Sequence, residues 1–210
     1  MKTSNSHQIR GVALGWNVAI LFIAGTILLG GLVQGYNPLA QTVSEIGRAG
    51  SPLQLPWQIF CVVVGVLLAI FSGLLIGFAR KNSMSGVPGI LLLSYAICQI
   101  GLGFFPTPHA LHNVFGLLMI VGYSAPLSFA LLWKGRTSAA FTRISLTCFA
   151  LVVTGIFLNL TPAFAPDLYP LEYYGAVQRF LLFTFYLYIG FISIYLSVKP
   201  IRYALSKVQA

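Results

Sequence analysis

The sequence predicts an all-α membrane protein, a polytopic bundle of six transmembrane helices with both termini in the cytoplasm. Three observations predict this fold. The 210 residues are 58% hydrophobic and only 7% charged, whereas a soluble domain carries about 25% charged residues. Six apolar stretches are each long enough to cross a bilayer. The basic residues cluster in alternate connections between these stretches, as the positive-inside rule requires of cytoplasmic loops.

The six predicted spans follow one another along the chain with short connections. They lie near residues 11–33, 57–78, 87–105, 112–133, 144–160 and 176–198. Pro126 lies inside the fourth span and has no N–H to donate, so we expect a kink near Ser124. At about 20 residues a crossing, the spans leave too little chain for a soluble domain or a nucleotide-binding fold. We therefore treat residues 1–210 as a single transmembrane domain.

The net charge of +9 indicates topology rather than nucleic-acid binding. Ten of the twelve basic residues fall in the tails and in two connections: Lys2, Arg10, Arg80, Lys81, Lys134, Arg136, Arg143, Lys199, Arg202 and Lys207. The three acidic residues, Glu45, Asp167 and Glu172, fall in the other connections. We therefore expect a multi-pass protein with its N and C termini inside, with membrane lipids and no nucleic acid as partners.

Small residues and cysteines in the spans are expected to serve packing. Gly11 and Gly15, and likewise Gly73 and Gly77, have the spacing that lets two helices approach closely, in this chain, in a homo-oligomer or against a partner protein. The three cysteines lie on three different spans, so we expect small buried hydrophobic side chains and no disulfide. They are Cys61, Cys98 and Cys148.

The first outer connection carries the candidate site residues Ser44, Glu45 and Arg48. Thr42 followed by Glu45 fits a capping box, which predicts a short helix beginning at Thr42 and ending near Gly47. In one interpretation Glu45 only closes the start of this helix and pairs with Arg48. In the other, Ser44, Glu45 and Arg48 face a shared cavity, because short loops often carry function.

The connection before the fourth span carries two histidines. Thr107 and Pro108 are favoured at a helix start, which would place His109, His112 and Asn113 on one face of the helix. His109 and Asn113 are candidate ligand-binding residues, and His112 is an acid/base candidate. A pair of histidines three residues apart binds zinc only if another segment supplies a third ligand. We therefore predict no metal ligands and no cofactor, and keep zinc as the alternative.

Arg179 is the only charged residue inside the six predicted spans, and such a charge needs a partner or a wet cavity. Glu172, Gly175, Ala176 and Arg179 follow a helical stripe, with the small residues forming a notch between the charges. A guanidinium grips a phosphate or carboxylate with two donors, so Arg179 and Glu172 are candidate ligand-binding residues. The alternatives are snorkelling to the head groups, or an ion pair with Glu172 or Glu45.

Three blocks of sequence occur in a fixed order over nearly the whole chain. They are Tyr36-Asn37-Pro38-Leu39 through Thr42-Val43-Ser44-Glu45-Ile46-Gly47, then Phe105-Pro106 with His112-Asn113 and Gly116, then Gly175 with Gln178-Arg179. In these blocks the chain resembles the domain-of-unknown-function 998 family of prokaryotic six-span membrane proteins. The resemblance implies a six-helix fold in the prokaryotic cytoplasmic (inner) membrane. It also suggests that Ser44, Glu45, His112 and Arg179 belong to one site, without implying a reaction.

These residues predict an outer-face polar site that binds or processes an amphiphile with an anionic or polar head group. Arg179 and the start of the fourth span would hold the head group. If chemistry occurs, Glu45 and His112 would act as acid and base, and Ser44 would be the nucleophile. The sequence leaves open whether the protein is an enzyme. The alternatives are a small transporter or sensor, and a non-catalytic partner subunit of a membrane complex.

Overall fold

Six helical spans form the bundle in the computed structural model, which describes residues 14–198. The helices are α1 Leu14–Gly31, α2 Gln54–Lys81, α3 Val87–Phe104, α4 Ala110–Tyr123, α5 Ala125–Leu132, α6 Ala139–Leu160 and α7 Tyr174–Val198. Helices α4 and α5 together make one span, Ala110–Leu132. Every span is long and apolar enough to cross a membrane, which confirms the predicted all-α bundle of six spans.

Helices that follow each other in the chain pack together, and α7 closes the bundle against α1 and α6. Aromatic rings fill the interior. Phe22 of α1 stacks on Tyr186 of α7 with ring centroids 3.8 Å apart, and both side chains are buried. The outer faces instead carry exposed aliphatic side chains such as Leu28 and Leu131. Lipid tails are as apolar as leucine, so such faces suit a bilayer.

The fourth span is broken at the predicted kink. Helix α4 ends at Tyr123 and α5 begins at Ala125, with Pro126 in the first turn of α5. Because proline lacks an N–H and its ring collides with the carbonyl four residues earlier, a straight helix cannot pass through this position. The prediction of a kink near Ser124 is confirmed.

Of the predicted packing glycines that the structure describes, Gly15 lies at a helix contact and Gly73 and Gly77 do not. A Cβ at Gly15 would lie 2.6 Å from the ring of Phe71, so this glycine allows α1 to approach α2. A Cβ at Gly73 or Gly77 would meet nothing within 4 Å, which shows that this pair faces outward. Gly11 lies outside the described residues.

Three connections meet at one end of the bundle, which we call the polar end: residues 32–53, 105–109 and 161–173. The polar end includes the acidic residues Glu45, Asp167 and Glu172. Five basic residues flank the connections at the opposite end: Arg80, Lys81, Lys134, Arg136 and Arg143. The other five of the predicted cytoplasmic set lie outside the described residues: Lys2, Arg10, Lys199, Arg202 and Lys207.

Candidate functional site

The connection between α1 and α2, the 32–53 loop, folds around a 3-10 helix, Val43–Gly47. The Glu45 carboxylate accepts hydrogen bonds from the backbone N–H of Thr42 at 2.9 Å and from its hydroxyl at 3.0 Å. This capping interaction confirms the predicted short helix, although the helix is 3-10 rather than α. The Gln41 amide donates to the second carboxylate oxygen at 3.2 Å. Within the described chain, the Glu45 carboxylate therefore bonds to Gln41 and Thr42 rather than to the Arg48 side chain.

The start of α7 holds this loop in place. A Cβ at Gly175 would lie 2.3 Å from the carbonyl oxygen of Gln41 and 2.7 Å from that of Pro38. The backbone N–H of Ala176 donates to the Leu39 carbonyl at 2.8 Å. The predicted notch of small residues therefore exists, and the 32–53 loop of the same chain fills it.

The Arg179 side chain also binds the loop. Its Nη1 donates to the carbonyl oxygens of Pro38 at 2.5 Å, Gln41 at 2.8 Å and Gly175 at 3.0 Å. Its Nη2 donates to the Tyr36 hydroxyl, and the guanidinium carbon lies 5.4 Å from the centroid of the Tyr36 ring. These contacts fasten the loop to α7 about one turn into the helix.

The ion pair with Glu172 or Glu45, which was an alternative interpretation of Arg179, is not formed within the described residues. Glu172 lies in a separate 3-10 helix, Leu171–Tyr173, and is exposed. Tyr36, which accepts a hydrogen bond from Arg179, donates from its hydroxyl to the Thr42 carbonyl at 2.8 Å. Burial raises the pKa of this phenol, although the adjacent guanidinium opposes the shift. Arg179 therefore positions the segment that leads into Ser44.

Helix α4 starts later than the sequence predicts. It begins at Ala110 rather than Pro108, and its N-cap is His109 rather than Thr107. The reason is local: Nδ1 of His109 accepts a hydrogen bond from the backbone N–H of Leu111 at 3.1 Å. An imidazole thus satisfies a free helix donor that a threonine hydroxyl usually takes. His109 is exposed and lies before the helix, not on the helical face that carries His112.

His112 joins two connections at the polar end. Its Nδ1 lies 2.8 Å from the carbonyl oxygen of Phe105, and its Nε2 lies 2.9 Å from the Ser44 hydroxyl. A carbonyl oxygen only accepts, so Nδ1 carries the proton of the neutral ring and Nε2 is the acceptor. The Ser44 hydroxyl therefore donates to His112. A hydroxyl nucleophile is activated in this way when it donates to a histidine whose other ring nitrogen is held by an orienting group.

Ser44 and His112 line a cavity of about 480 Å³ that opens between the helices. Polar groups of the lining include Thr42, Ser44, Thr107, His112, Asn113, Asn159 and Gln178. Deeper positions are mostly apolar, among them Phe22, Met119, Ile120, Ile156, Leu181 and Leu182. Along α4 the lining runs from His112 to Tyr123, about 16 Å at a rise of about 1.5 Å a residue. This depth is roughly half of a hydrocarbon core of about 30 Å.

Gln178 is a lining residue that the candidate site residues above do not include. Its Oε1 accepts a hydrogen bond from the backbone N–H of Val43 at 2.8 Å. An N–H can only donate, so the oxygen must face Val43 and the Nε2 group is the other end of the amide. Gln178 thus helps to hold the 32–53 loop. The feature of the sequence that indicates this role is its position next to Arg179, whose side chain reaches the same loop.

The structure separates the predicted site residues into three sets. Ser44, His112 and Asn113 line the cavity just described. Glu45 and Arg48 line a second, more open cavity of about 310 Å³ beside the 32–53 loop. Arg179, His109 and Glu172 line neither of these two cavities. The polar cluster expected from sequence is therefore divided by the loop itself.

The metal-binding residue types are dispersed over the described chain. No group of three His, Cys, Asp or Glu side chains lies close enough to hold a metal ion within residues 14–198. Both ring nitrogens of His112 already contact protein oxygens. The three cysteines are free and buried, as predicted: Cys61, Cys98 and Cys148.

Comparison with known families finds a match over most of the chain. A family model described as "Protein of unknown function (DUF998)" matches residues 18–195. This range contains the three sequence blocks described above and every residue that lines the 480 Å³ cavity. No curated protein and no solved structure matches the chain.

Proposed function

The chain belongs to the DUF998 family, and from this membership and the cavity we propose that it binds an amphiphile at the polar end. The polar or anionic head group lies beside Ser44, His112 and Asn113, and the apolar chain extends between the helices. Glu45 and Arg48 line the second cavity beside the 32–53 loop. In this proposal Arg179 acts through the loop and does not bind the head group.

The observation that carries the proposal is the change of polarity along one cavity. Its volume lies within the roughly 300–1,000 Å³ of typical small-molecule sites. Hydrogen-bonding side chains are concentrated at the end near Ser44, and the lining toward Tyr123 is mostly apolar, with Gln99 and the Tyr123 phenol as its polar groups. A ligand with a polar head and an apolar tail satisfies both ends. The depth of about 16 Å, at about 1.5 Å a residue, suits a chain lying in one leaflet.

We further propose that the cavity opens to the outer face of the prokaryotic cytoplasmic membrane, with both termini inside. The support is the distribution of charge. Five basic residues lie at the end opposite Ser44, and an excess of basic residues is typical of cytoplasmic loops. The variants Ser51→Cys and Ser83→Cys test this orientation. Each is treated in intact cells with a membrane-impermeant thiol reagent, which labels only a cysteine on the outer face. Labelling at Ser83 and not at Ser51 in intact cells would reverse it.

A variant that fills the cavity tests amphiphile binding. Gly116 lines the cavity one helical turn beyond His112, and a Cβ at this position would meet no atom within 4 Å. Gly116→Phe therefore places its Cβ without a clash, and its ring takes space from the ligand. Gly73→Phe is the matched control, because Gly73 is a helical glycine with open space that lines neither cavity.

The measurement is native mass spectrometry of the purified protein with added lysophosphatidylglycerol. We expect wild type and Gly73→Phe to retain the lipid, and Gly116→Phe to retain at least tenfold less at an unchanged melting temperature. Equal retention by Gly116→Phe and wild type would show that the lipid binds elsewhere on the protein. Absence of retention in wild type would contradict the proposal for single-chain anionic lipids, and a neutral lysophosphatidylcholine then tests the head group.

A further inference from the structure

We infer that the cavity catalyses acyl transfer, with Ser44 as the nucleophile and His112 as the general base. The substrate class is an amphiphile with an acyl ester near its head group. This inference rests on the proposed amphiphile site and adds a reaction to it. The geometry that points to it is the chain of contacts from the Ser44 hydroxyl through His112 to the Phe105 carbonyl.

The distances in this chain of contacts are those of an activated nucleophile. Ser44 Oγ lies 2.9 Å from His112 Nε2, within the about 2.6–3.2 Å expected of a nucleophile and its base. The Phe105 carbonyl at 2.8 Å fixes the tautomer, leaving Nε2 free to accept the serine proton. In the serine triad a carboxylate has this orienting role. A carbonyl also fixes the ring orientation through its hydrogen bond but lacks the full negative charge that stabilises an imidazolium.

The accessibility of Ser44 and His112 supports a catalytic role for their hydrogen bond over a purely structural one. Ser44 and His112 are both partly exposed and both line the cavity that leads between the helices. A hydrogen bond that only tied the loop to α4 would not need to face a cavity. Here the hydroxyl is open to a bound molecule on one side and bonded to its base on the other.

The neighbouring side chains hold the serine and offer donors to a developing oxyanion. Val43, the residue before Ser44, donates to Gln178 Oε1 at 2.8 Å, so the Gln178 amide keeps its Nε2 donor for the cavity that it lines. Asn113, next to His112, lines the same cavity and supplies a second amide. Amide donors aimed at an oxyanion are a standard source of transition-state stabilisation.

The reaction is balanced by water or an alcohol as the second substrate. Ser44 Oγ forms a bond to the acyl carbon while its proton passes to His112 Nε2. The tetrahedral intermediate expels the alkoxide of the ester, which takes that proton from His112, leaving an acyl-Ser44 ester. Water then gives a proton to His112 and attacks the acyl carbon. Ser44 leaves and recovers the proton, and a carboxylic acid is released; an alcohol in place of water gives a new ester.

The test uses a decyl fluorophosphonate, which reacts with activated serines, on the full-length protein in detergent micelles. We expect one adduct per chain, mapped by peptide mass spectrometry to Ser44. Ser44→Ala and His112→Gln should label at least 100-fold more slowly. Ser51→Ala is the matched control, because Ser51 lies in the same loop and outside the 480 Å³ cavity, with its hydroxyl donating to the Ile46 carbonyl at 2.7 Å. This control should label like wild type.

Mapping the adduct on wild type keeps the test decisive even if a variant misfolds. Labelling at another residue, or no labelling of wild type, would overturn the inference. Hydrolysis of p-nitrophenyl dodecanoate gives a second measure, expected to fall at least 100-fold in Ser44→Ala. If lysophosphatidylglycerol is retained but Ser44 is inert, the acyl-transfer inference fails and the binding proposal stands. If neither binding nor labelling occurs, both fail.

Discussion

Gly175 lies against Gln41 so closely that a Cβ at position 175 would come within 2.3 Å of the Gln41 carbonyl oxygen. This contact joins the start of α7 to the loop that carries Ser44. The atom in the way belongs to the backbone, so it cannot rotate aside as a flexible side chain would. Gly175 therefore determines how near the loop, and with it the Ser44 hydroxyl, can lie to the helices.

Gly175→Ala should destabilise the protein by about 1–3 kcal/mol, because the loop must shift to admit the methyl group. The measurement is the thermal unfolding midpoint in detergent micelles. Gly73→Ala is the control: it also replaces a helical glycine, but its Cβ meets nothing within 4 Å. The control should be neutral or slightly stabilising, since alanine favours a helix over glycine. An equal midpoint for both variants would contradict the close contact at Gly175.

Arg179→Lys should also weaken the attachment of the loop. The guanidinium bonds to three carbonyl oxygens and the Tyr36 hydroxyl through two different nitrogens, and one ammonium cannot reach all of them. We expect a loss of about 1.5–3 kcal/mol, typical of hydrogen bonds from charged groups. Thermal unfolding measures it, with the exposed Arg80→Lys as the control of equal charge.

Arg179→Lys also distinguishes a positioning role of Arg179 from direct ligand binding. If Arg179 acts only through the loop, Arg179→Lys should lower retention of anionic lysophosphatidylglycerol and neutral lysophosphatidylcholine by the same factor. A selective loss of the anionic lipid at unchanged stability would instead show that the guanidinium binds the head group. Native mass spectrometry of both lipids decides between these results.

The helices were predictable from sequence because the bilayer constrains them strongly. A span needs about 20 apolar residues, so composition locates it, and Pro126 locates the kink through its missing N–H. The short helix after Thr42 was predictable for a similar reason, since its capping contact spans only three residues. Each of these features depends on neighbours in the chain.

The site was less predictable because its contacts join distant parts of the chain. Ser44 and His112 are 68 positions apart, and Arg179 bonds to carbonyl oxygens that carry no side-chain signal. From the sequence Arg179 was a candidate ligand-binding residue, with an ion pair to an acidic side chain as the alternative, because a backbone partner leaves no pattern in the sequence. The start of α4 was misplaced because Thr107 and His109 both offer a cap, and only the fold selects the imidazole.

Tyr36→Phe should lower stability at neutral pH by about 1 kcal/mol, the usual contribution of a hydrogen bond. The hydroxyl that it removes donates to the Thr42 carbonyl and accepts from Arg179. Burial raises the pKa of Tyr36 above its ordinary value of 10.0. A raised folded-state pKa stabilises the protein below the unfolded pKa, and this contribution is lost as pH rises through the folded pKa.

The advantage of wild type over Tyr36→Phe should therefore shrink as the pH rises above 10.0, the ordinary pKa of the phenol. Melting curves of both proteins between neutral pH and strongly alkaline pH measure this difference. Tyr173→Phe is the control for a tyrosine substitution as such, because Tyr173 is exposed and lies outside the 32–53 loop. A wild-type advantage that grows with pH would contradict a neutral, hydrogen-bonded Tyr36.

Gln178 offers a variant pair that separates support of the loop from chemistry. Gln178→Leu leaves the Val43 N–H without its acceptor, which should cost about 1–3 kcal/mol for an unsatisfied donor. Gln178→Glu keeps an oxygen for Val43 but loses the amide donor, so its melting midpoint should stay near that of wild type. If the Nε2 group stabilises the oxyanion, Gln178→Glu should nevertheless hydrolyse p-nitrophenyl dodecanoate at least tenfold more slowly. A stable and fully active Gln178→Glu would restrict Gln178 to holding the loop, and the oxyanion donor would then be sought at Asn113.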